Sequence, residues 1–434
     1  MKSRIVIMSL LLSAMLQNAM AQTGTWSGAL DVNGTGLSLT FHLDGPSPTM
    51  DSPDQGAKDI PIIVDRPSAG KITIRIPSIG ASFEGVWIIR QIVGTFTQMN
   101  MDLPLTLTPG EKKPRRPQTP SGDFPYTSED ISFNNGDVRL EGTLVLPEKY
   151  SRKTPVLVMV TGSGIQNRDE EIFDHKPFAV IADALARSGI ATMRYDDRGY
   201  KGYPGNIGEC TADDFKKDAS AGIRLMRERF DNVGVLGHSE GGTIAMMIAA
   251  EHKADFIVSL AGMAVSGTET LLWQNRTALY QAGYSREISD SYCTLLSRAF
   301  EATIEGRPVP DSAPYDLPLE LNHNYQAVVS QLKMPYMTHF LSLDIRPMLG
   351  QINCPVLALN GTKDIQVYHE SNLDAIREGL PSNPKNSVLS VEGKNHLFQH
   401  CRTGSVAEYR TIEETIAPEV LELIASWISE LFSL

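Results

Sequence analysis

Three side chains in this 434-residue chain have the types, order and surroundings that nucleophilic acyl transfer needs. Ser239 stands in Gly237-His238-Ser239-Glu240-Gly241, which reads G-x-S-x-G. The apolar run Val233-Gly234-Val235-Leu236 before it is of strand type, and the small residues from Gly242 to Ala250 after it are helix-forming. A serine at such a junction sits on a strained turn that lifts its hydroxyl clear of the sheet, and only glycines tolerate the crowding on either side. The hydroxyl is a poor nucleophile at neutral pH. It needs a base beside it, and the base needs an orienting carboxylate. In a doubly wound sheet these groups sit on loops at the C-terminal strand ends. Leu357-Ala358-Leu359-Asn360-Gly361-Thr362-Lys363-Asp364 ends a strand on a carboxylate, and the strand Ser387-Val388-Leu389-Ser390-Val391 runs into Glu392-Gly393-Lys394-Asn395-His396. The expected triad is Ser239, Asp364 and His396, in that chain order.

Competing residues are weighed by position. Of nine histidines, only His396 and His400 lie just beyond the last strand, and His400 is four residues further on. His238, inside the motif, is expected as a packed or hydrogen-bonded neighbour of the elbow. Asp344 precedes the penultimate strand and Asp374 falls in the following helix, so each reads as a surface or capping carboxylate. The oxyanion hole is assigned to the backbone N–H of Glu240 together with that of Ser163 or Gly164. The latter pair lies in Thr161-Gly162-Ser163-Gly164, where small residues let a backbone N–H approach a substrate oxygen. No G-K-[ST] follows these glycines, so the loop is not a phosphate cradle.

The elements that must position these groups follow from hydrophobic periodicity. From Tyr126 onward apolar strands alternate with helices: Val138 to Leu146, Pro155 to Val160, Ala191 to Tyr195, Phe256 to Leu260 and Pro355 to Leu359, with helical spacing at Phe178 to Arg187 and Thr211 to Phe230. Such alternation means a mostly parallel, doubly wound sheet covered on both faces. A stretch of helical composition, about 265–343, interrupts it and carries Trp273, Tyr280, Tyr284, Tyr336 and Phe340. These aromatics either roof the site or pack inside the insertion. Residues 22–108 instead show period two, as in Ile72-Thr73-Ile74-Arg75-Ile76, with turn residues between runs. This pattern predicts a small all-β barrel or sandwich domain with a structural or assembly role. Residues 109–125 read as a Pro-rich linker whose basic cluster is solvated.

The chain opens with Met1-Lys2-Ser3-Arg4, an apolar run through Leu12, and Ala19-Met20-Ala21. Residues 1–21 therefore read as a secretory signal peptide, with the mature chain exported to the periplasm or beyond. No later segment is long and apolar enough for a transmembrane span. A net charge of −12 argues against nucleic acid as a partner. Cys210, Cys293, Cys354 and Cys401 form no C-x-x-C pair, which disfavours zinc or redox chemistry and leaves open whether they pair or stay free. No cofactor and no metal are expected.

Four stretches carry a family resemblance: Thr161 to Glu170, Arg194-Tyr195-Asp196-Asp197-Arg198-Gly199, Gly237 to Gly242, and Asn395-His396-Leu397-Phe398-Gln399. The loop from Pro335 to Leu341 also fits. Over residues 126–434 the chain resembles exported bacterial α/β-hydrolases of the esterase and serine-aminopeptidase-like group, in which a β-rich N-terminal domain is common. One departure is Ile165-Gln166-Asn167, where the family more often has a proline and an aspartate. Arg168, Asp169 and Glu170 either shape the pocket or, as the preferred reading, form an ion-pair network near Asp196.

The resulting expectation is an α/β-hydrolase fold with a helical cap insertion, preceded by a small all-β domain. Its chemistry would be hydrolysis of a small-molecule carboxylic ester through an acyl-enzyme. The alternatives are a serine peptidase on the same triad, which would need a terminus anchor such as a roof carboxylate although Glu301 and Glu305 read more simply as a solvated helix face, and a non-catalytic secreted binding protein. An oligomer through the N-terminal domain is open.

Overall fold

The computed structural model describes residues 24–32, 35–55, 57–67, 70–99, 101–110, 115–202, 209–310 and 317–434. The signal-peptide reading over residues 1–21 and residues 111–114 of the basic linker lie outside the described residues. The chain divides into two compact units, Met1–Arg115 and Arg116–Leu434.

The first unit is a nine-stranded antiparallel sheet in the order β4-β3-β2-β1-β9-β8-β7-β6-β5. Its strands are β1 (Thr25–Val32), β2 (Thr35–His42), β3 (Thr49–Ser52), β4 (Ala57–Pro61), β5 (Ile63–Asp65), β6 (Lys71–Ile76), β7 (Ala81–Ile88), β8 (Gln91–Gln98) and β9 (Met101–Pro109). The period-two pattern has its physical consequence here. Ile72, Ile74 and Ile76 point inward while Lys71 and Arg75 face water. The edge strands β4 and β5 are separated in the chain only by Ile62, so the sheet must curl until its edges meet at that corner. Phe41 stacks on Phe83 inside, with centroids 6.2 Å apart, and Trp26 meets Trp87 edge-on at 4.7 Å.

The second unit is built on an eight-stranded sheet in the order β10-β11-β13-β12-β14-β15-β16-β17. Its strands are β10 (Tyr126–Asn135), β11 (Val138–Pro147), β12 (Pro155–Val160), β13 (Ala191–Tyr195), β14 (Asn232–His238), β15 (Ile257–Leu260), β16 (Val356–Gly361) and β17 (Ser387–Val391). The β10–β11 hairpin and the β11–β13 pair are antiparallel, and all later pairs are parallel. This is the sheet of an α/β-hydrolase. Strand pleating sorts β12 to two faces. Val156, Val158 and Val160 pack with Phe215 and Ala219 of one helix layer; Leu157 and Met159 pack with Phe178, Ile181, Ile424 and Trp427 of the other. Every residue of β12 and β16 is buried, which accounts for the apolar sequence of β12 and of β16 as far as Leu359. Strand order reverses at β12, so the C-terminal ends of β12 and β14 flank the crevice where such sheets hold ligands.

Helices α1 (Pro177–Arg187), α2 (Ala212–Arg227) and α3 (Glu240–Ala250) cover the sheet. Between β15 and β16 the chain inserts α4 (Gly267–Gln281), α5 (Arg286–Ile304), α6 (Leu319–Gln331) and α7 (Pro335–Ser342). A capping box of Ser266 and Glu269 starts α4. The insertion has its own core of Leu279, Tyr292, Leu296, Phe300, Leu321, Tyr325 and Val329. Its aromatics divide between the two expected roles. Tyr336 and Phe340 face the cleft, whereas Tyr280 is exposed and the Tyr284 hydroxyl donates to Glu320. Trp273 stacks on Tyr368 at 5.0 Å.

Two further features differ from the solvated-linker reading or extend it. The Arg116 guanidinium donates to the carbonyls of Phe173, Arg410 and Ile412, and Gln118 bonds both Thr415 and Ile416, so these residues are built into the second unit. None of the four cysteines is in a disulfide. Among the described residues no helix is long and apolar enough to cross a membrane.

Candidate active site

Ser239 follows β14 directly, with φ 54° and ψ −121°, a backbone conformation rare for a residue with a Cβ. The turn is tolerated because its flanks lack side chains. A Cβ on Gly237 would collide with the carbonyl of Gly241, and one on Gly241 would collide with the carbonyl of Val160. The Ser239 N–H donates to Leu260 O at 2.8 Å, pinning the elbow to β15. Helix α3 begins at Glu240, so its first N–H groups have no intrahelical acceptor and its positive end lies beside the serine.

Asp364 and His396 come from the loops after β16 and β17, and both are almost wholly buried. Asp364 Oδ1 accepts from the N–H groups of Gln366 (2.7 Å) and Val367 (2.9 Å). Its Oδ2 lies 2.7 Å from His396 Nδ1. Facing a carboxylate, Nδ1 must carry the proton, which leaves Nε2 as a proton acceptor. The loop around His396 is framed by Asn395. Its Oδ1 accepts from the N–H of Leu397 and Gln399 while its amide donates to Gln399 Oε1. The competing residues are elsewhere: His400 is exposed against Glu414 and Glu419, Asp344 pairs with Arg346, and Asp374 pairs with Arg377.

Ser239 and His396 line one cleft of about 370 Å³ together with Gly162 and Ser163 from the loop after β12. Of the two residues left open for the second oxyanion donor, Ser163 is on the cleft wall, whereas Gly164, with φ 98°, is not among the lining residues. The Gly162 N–H is already used, donating to Glu170 Oε1 at 2.7 Å. Asp197 braces the same loop, accepting from the Thr161 hydroxyl and the Gln166 N–H. Burial outweighs these hydrogen bonds and pushes its carboxyl up to about 8. The Glu240 side chain is also buried. Desolvation raises its carboxyl above the usual range, opposed in part by hydrogen bonds from Tyr336 and Ser163. The Tyr336 hydroxyl donates to Glu240 Oε2 at 2.7 Å, tying α7 of the insertion to the elbow.

The network expected near Asp196 is present, with Arg168 bonding Asp196 at 2.6 Å and Arg194 bonding Asp169. Glu170 departs from that expectation. It lines the cleft, and its Oε1 accepts from the Gly162 N–H and lies 3.0 Å from His238 Nδ1. His238 Nε2 is 2.9 Å from His396 O, so the histidine inside the motif is the hydrogen-bonded neighbour expected. Burial alone would lower its pKa. The charge and hydrogen bond of Glu170, with the His396 carbonyl, override that and hold it above the ordinary histidine value. The sequence left the roles of Asp197 and Asn395 unassigned, their only signal being membership of the stretches that carry the resemblance; it offered Tyr336 as a roofing aromatic and Glu170 as a lesser pocket alternative, without reaching the Tyr336–Glu240 or Glu170–His238 bonds.

The remaining walls are apolar (Ile172, Met263, Leu271, Met337, Phe340, Val367, Leu397) or carboxamide (Gln166, Gln274, Gln331, Gln366). No lysine or arginine is among the described lining residues, and Glu170 is their sole carboxylate. Among the described residues no group of three or more His, Cys, Asp or Glu side chains is arranged to hold a metal ion.

A model of the X-Pro dipeptidyl-peptidase (S15) family matches residues 135–385, more than half of the chain, including Ser239 and Asp364 and stopping short of His396. Esterase EstD of Thermotoga maritima is 25% identical over 292 residues, covering 67% of this chain and 66% of that protein. The chain thus spans just under two thirds of this relative's length. Among solved structures, Est1E from Butyrivibrio proteoclasticus with ferulic acid bound is 15% identical with a TM-score of 0.41, over 69% of this chain and 97% of its own. Proline iminopeptidase from Mycobacterium smegmatis is 15% identical with a TM-score of 0.43, over 70% and 99%.

Proposed function

The chain belongs to the X-Pro dipeptidyl-peptidase (S15) family, and from that footing we propose that it is an exported serine hydrolase that cleaves carboxylic esters through an acyl-enzyme. In this reading Ser239 Oγ attacks the ester carbonyl carbon while His396 Nε2 takes its proton. The N–H groups of Glu240 and Ser163 hold the oxyanion. His396 then returns the proton to the leaving alkoxide as the C–O bond breaks. A water molecule repeats the sequence and releases the acid. Asp364 holds the imidazole tautomer throughout. The observation that carries the reading is the Asp364–His396 bond of 2.7 Å, on a cleft that also receives the strained Ser239. Export rests on the residue types of the first 21 positions.

Ester rather than peptide is favoured by the lining. The cleft offers apolar and carboxamide surface, and its single carboxylate is engaged by Gly162 and His238 rather than free for an ammonium group. A peptidase on the same triad is the second reading, favoured by the dipeptidyl-peptidase activity for which the family is named. The deciding measurement is kcat/KM for matched p-nitrophenyl esters and p-nitroanilides, corrected for the intrinsic reactivity of the two bonds. A corrected preference for the ester is expected, with Ser239→Ala inactive on both. Preference for unblocked aminoacyl substrates over their N-acetylated forms would move the protein to the peptidase reading.

A further inference from the structure

Glu170 and His238 are each more than nine-tenths buried, and their contacts cross three loops. Glu170 adopts φ 53°, a conformation that costs free energy in a residue with a side chain and persists where its surroundings fix it. Its Oε1 accepts from two donors on different elements, the Gly162 N–H after β12 and His238 Nδ1 at the end of β14. The other ring nitrogen of His238 faces a third element, the carbonyl of His396 after β17. Both ring nitrogens therefore face acceptors. A neutral imidazole has one N–H and would set a lone pair against one of them; only the imidazolium donates to both.

We propose that Glu170 and His238 form a buried ion pair that positions the acyl-transfer site, joining the loop of the oxyanion hole, the nucleophile elbow and the loop of the base in one hydrogen-bonded chain. The proposal rests on the triad reading given above. Two consequences follow from its geometry. First, by taking the Gly162 N–H, Glu170 fixes which way the loop turns and leaves Ser163 on the cleft wall. Second, the His238 ring centroid is 4.7 Å from that of His396. The charge proposed on His238 thus stands on one side of His396 and the Asp364 carboxylate on the other, 2.7 Å from Nδ1. The other titratable side chains lining the same cleft are Glu170, the Tyr409 phenol and Tyr336 from the insertion.

The test uses the full chain and two substitutions, Glu170→Gln and His238→Asn. Glutamine keeps an acceptor for Gly162 but removes the charge that holds His238 protonated. Asparagine keeps a donor toward Glu170 but cannot reach His396 O. With a p-nitrophenyl ester from pH 5 to 9, each variant is expected to lose at least about tenfold in kcat with KM within about twofold. In Glu170→Gln the acid limb of kcat/KM should move up by about half a pH unit or more, because the positive neighbour of His396 is gone. Should Glu170→Gln fail to fold, His238→Asn decides on the same readouts, since it removes that charge as well. Wild-type kcat with a wild-type acid limb, or a loss confined to KM, overturns the proposal. Fluorophosphonate labelling of the wild type, absent in Ser239→Ala, separates the two levels. Without labelling the triad reading itself fails; with labelling intact, an unchanged pH profile removes the ion pair alone.

Discussion

Replacing Asp364 with asparagine is the sharpest probe of the proposed mechanism, because the structure dictates which way the amide must lie. Asp364 Oδ1 accepts two backbone N–H groups, from Gln366 at 2.7 Å and Val367 at 2.9 Å. Only an oxygen can occupy that place, since an NH2 there would set donors against donors at a buried site. The asparagine amide nitrogen is thereby forced to the Oδ2 position, facing His396 Nδ1. It donates to Nδ1, the ring proton moves to Nε2, and Nε2 can no longer accept the proton of Ser239. An inverted tautomer in a serine triad lowers kcat by about 10⁴ in the handiest precedent for this geometry, or about 5.5 kcal/mol at roughly 1.4 kcal/mol per tenfold. The fold should hold, because shape and both backbone hydrogen bonds are kept. The assay is steady-state turnover of a p-nitrophenyl ester beside the rate of fluorophosphonate labelling, with melting temperature as the control. A folded Asp364→Asn protein that keeps more than about a tenth of wild-type kcat would refute the tautomer argument, since that argument requires a loss of several powers of ten.

Other outcomes follow from groups outside the triad. The Asp197 carboxyl is raised in the folded protein to about 8, above its ordinary unfolded value of about 3.9. Its contribution to stability is therefore whole below about pH 4 and is lost as pH climbs through about 8. Relative to Asp197→Asn, the wild type should lose several degrees of melting temperature between pH 5 and pH 8.5; parallel curves would place the carboxyl in its ordinary range. A truncated chain beginning at Arg116 should retain ester turnover, whereas one beginning at Ser121 should melt lower, because it lacks the hydrogen bonds that Arg116 and Gln118 make to the segment 410–416. Equal melting temperatures for the two would show those bonds to be energetically idle.

The parts of this protein that local sequence determined are those whose physics is local. Ser239 could be assigned to a strand–helix junction because Gly237 and Gly241 are required by close backbone approach within a five-residue turn. Asp364 and His396 could be assigned to strand-end loops because β16 and β17 carry recognisable strand patterns immediately before them. The period-two runs of residues 22–108 likewise express strand pleating, which needs no distant partner. The extent of curling was not legible there, since it depends on β4 and β5 standing at opposite edges of one sheet.

Tertiary structure alone decided how the polar groups of the cleft are spent. Glu170 meets His238 across 68 residues, His238 meets His396 across 158, and Tyr336 meets Glu240 across 96. In sequence Glu170 is one acid beside Arg168 and Asp169, and nothing local separates Asp169, which pairs with Arg194, from Glu170, which turns into the site. Arg116 looks equally like a solvated linker cation until three carbonyls from two other segments converge on it. A buried hydrogen-bonding group is stabilised by whichever partner the packed chain delivers within about 3 Å. Residue type sets what chemistry such a group can do; the fold sets with whom it does it.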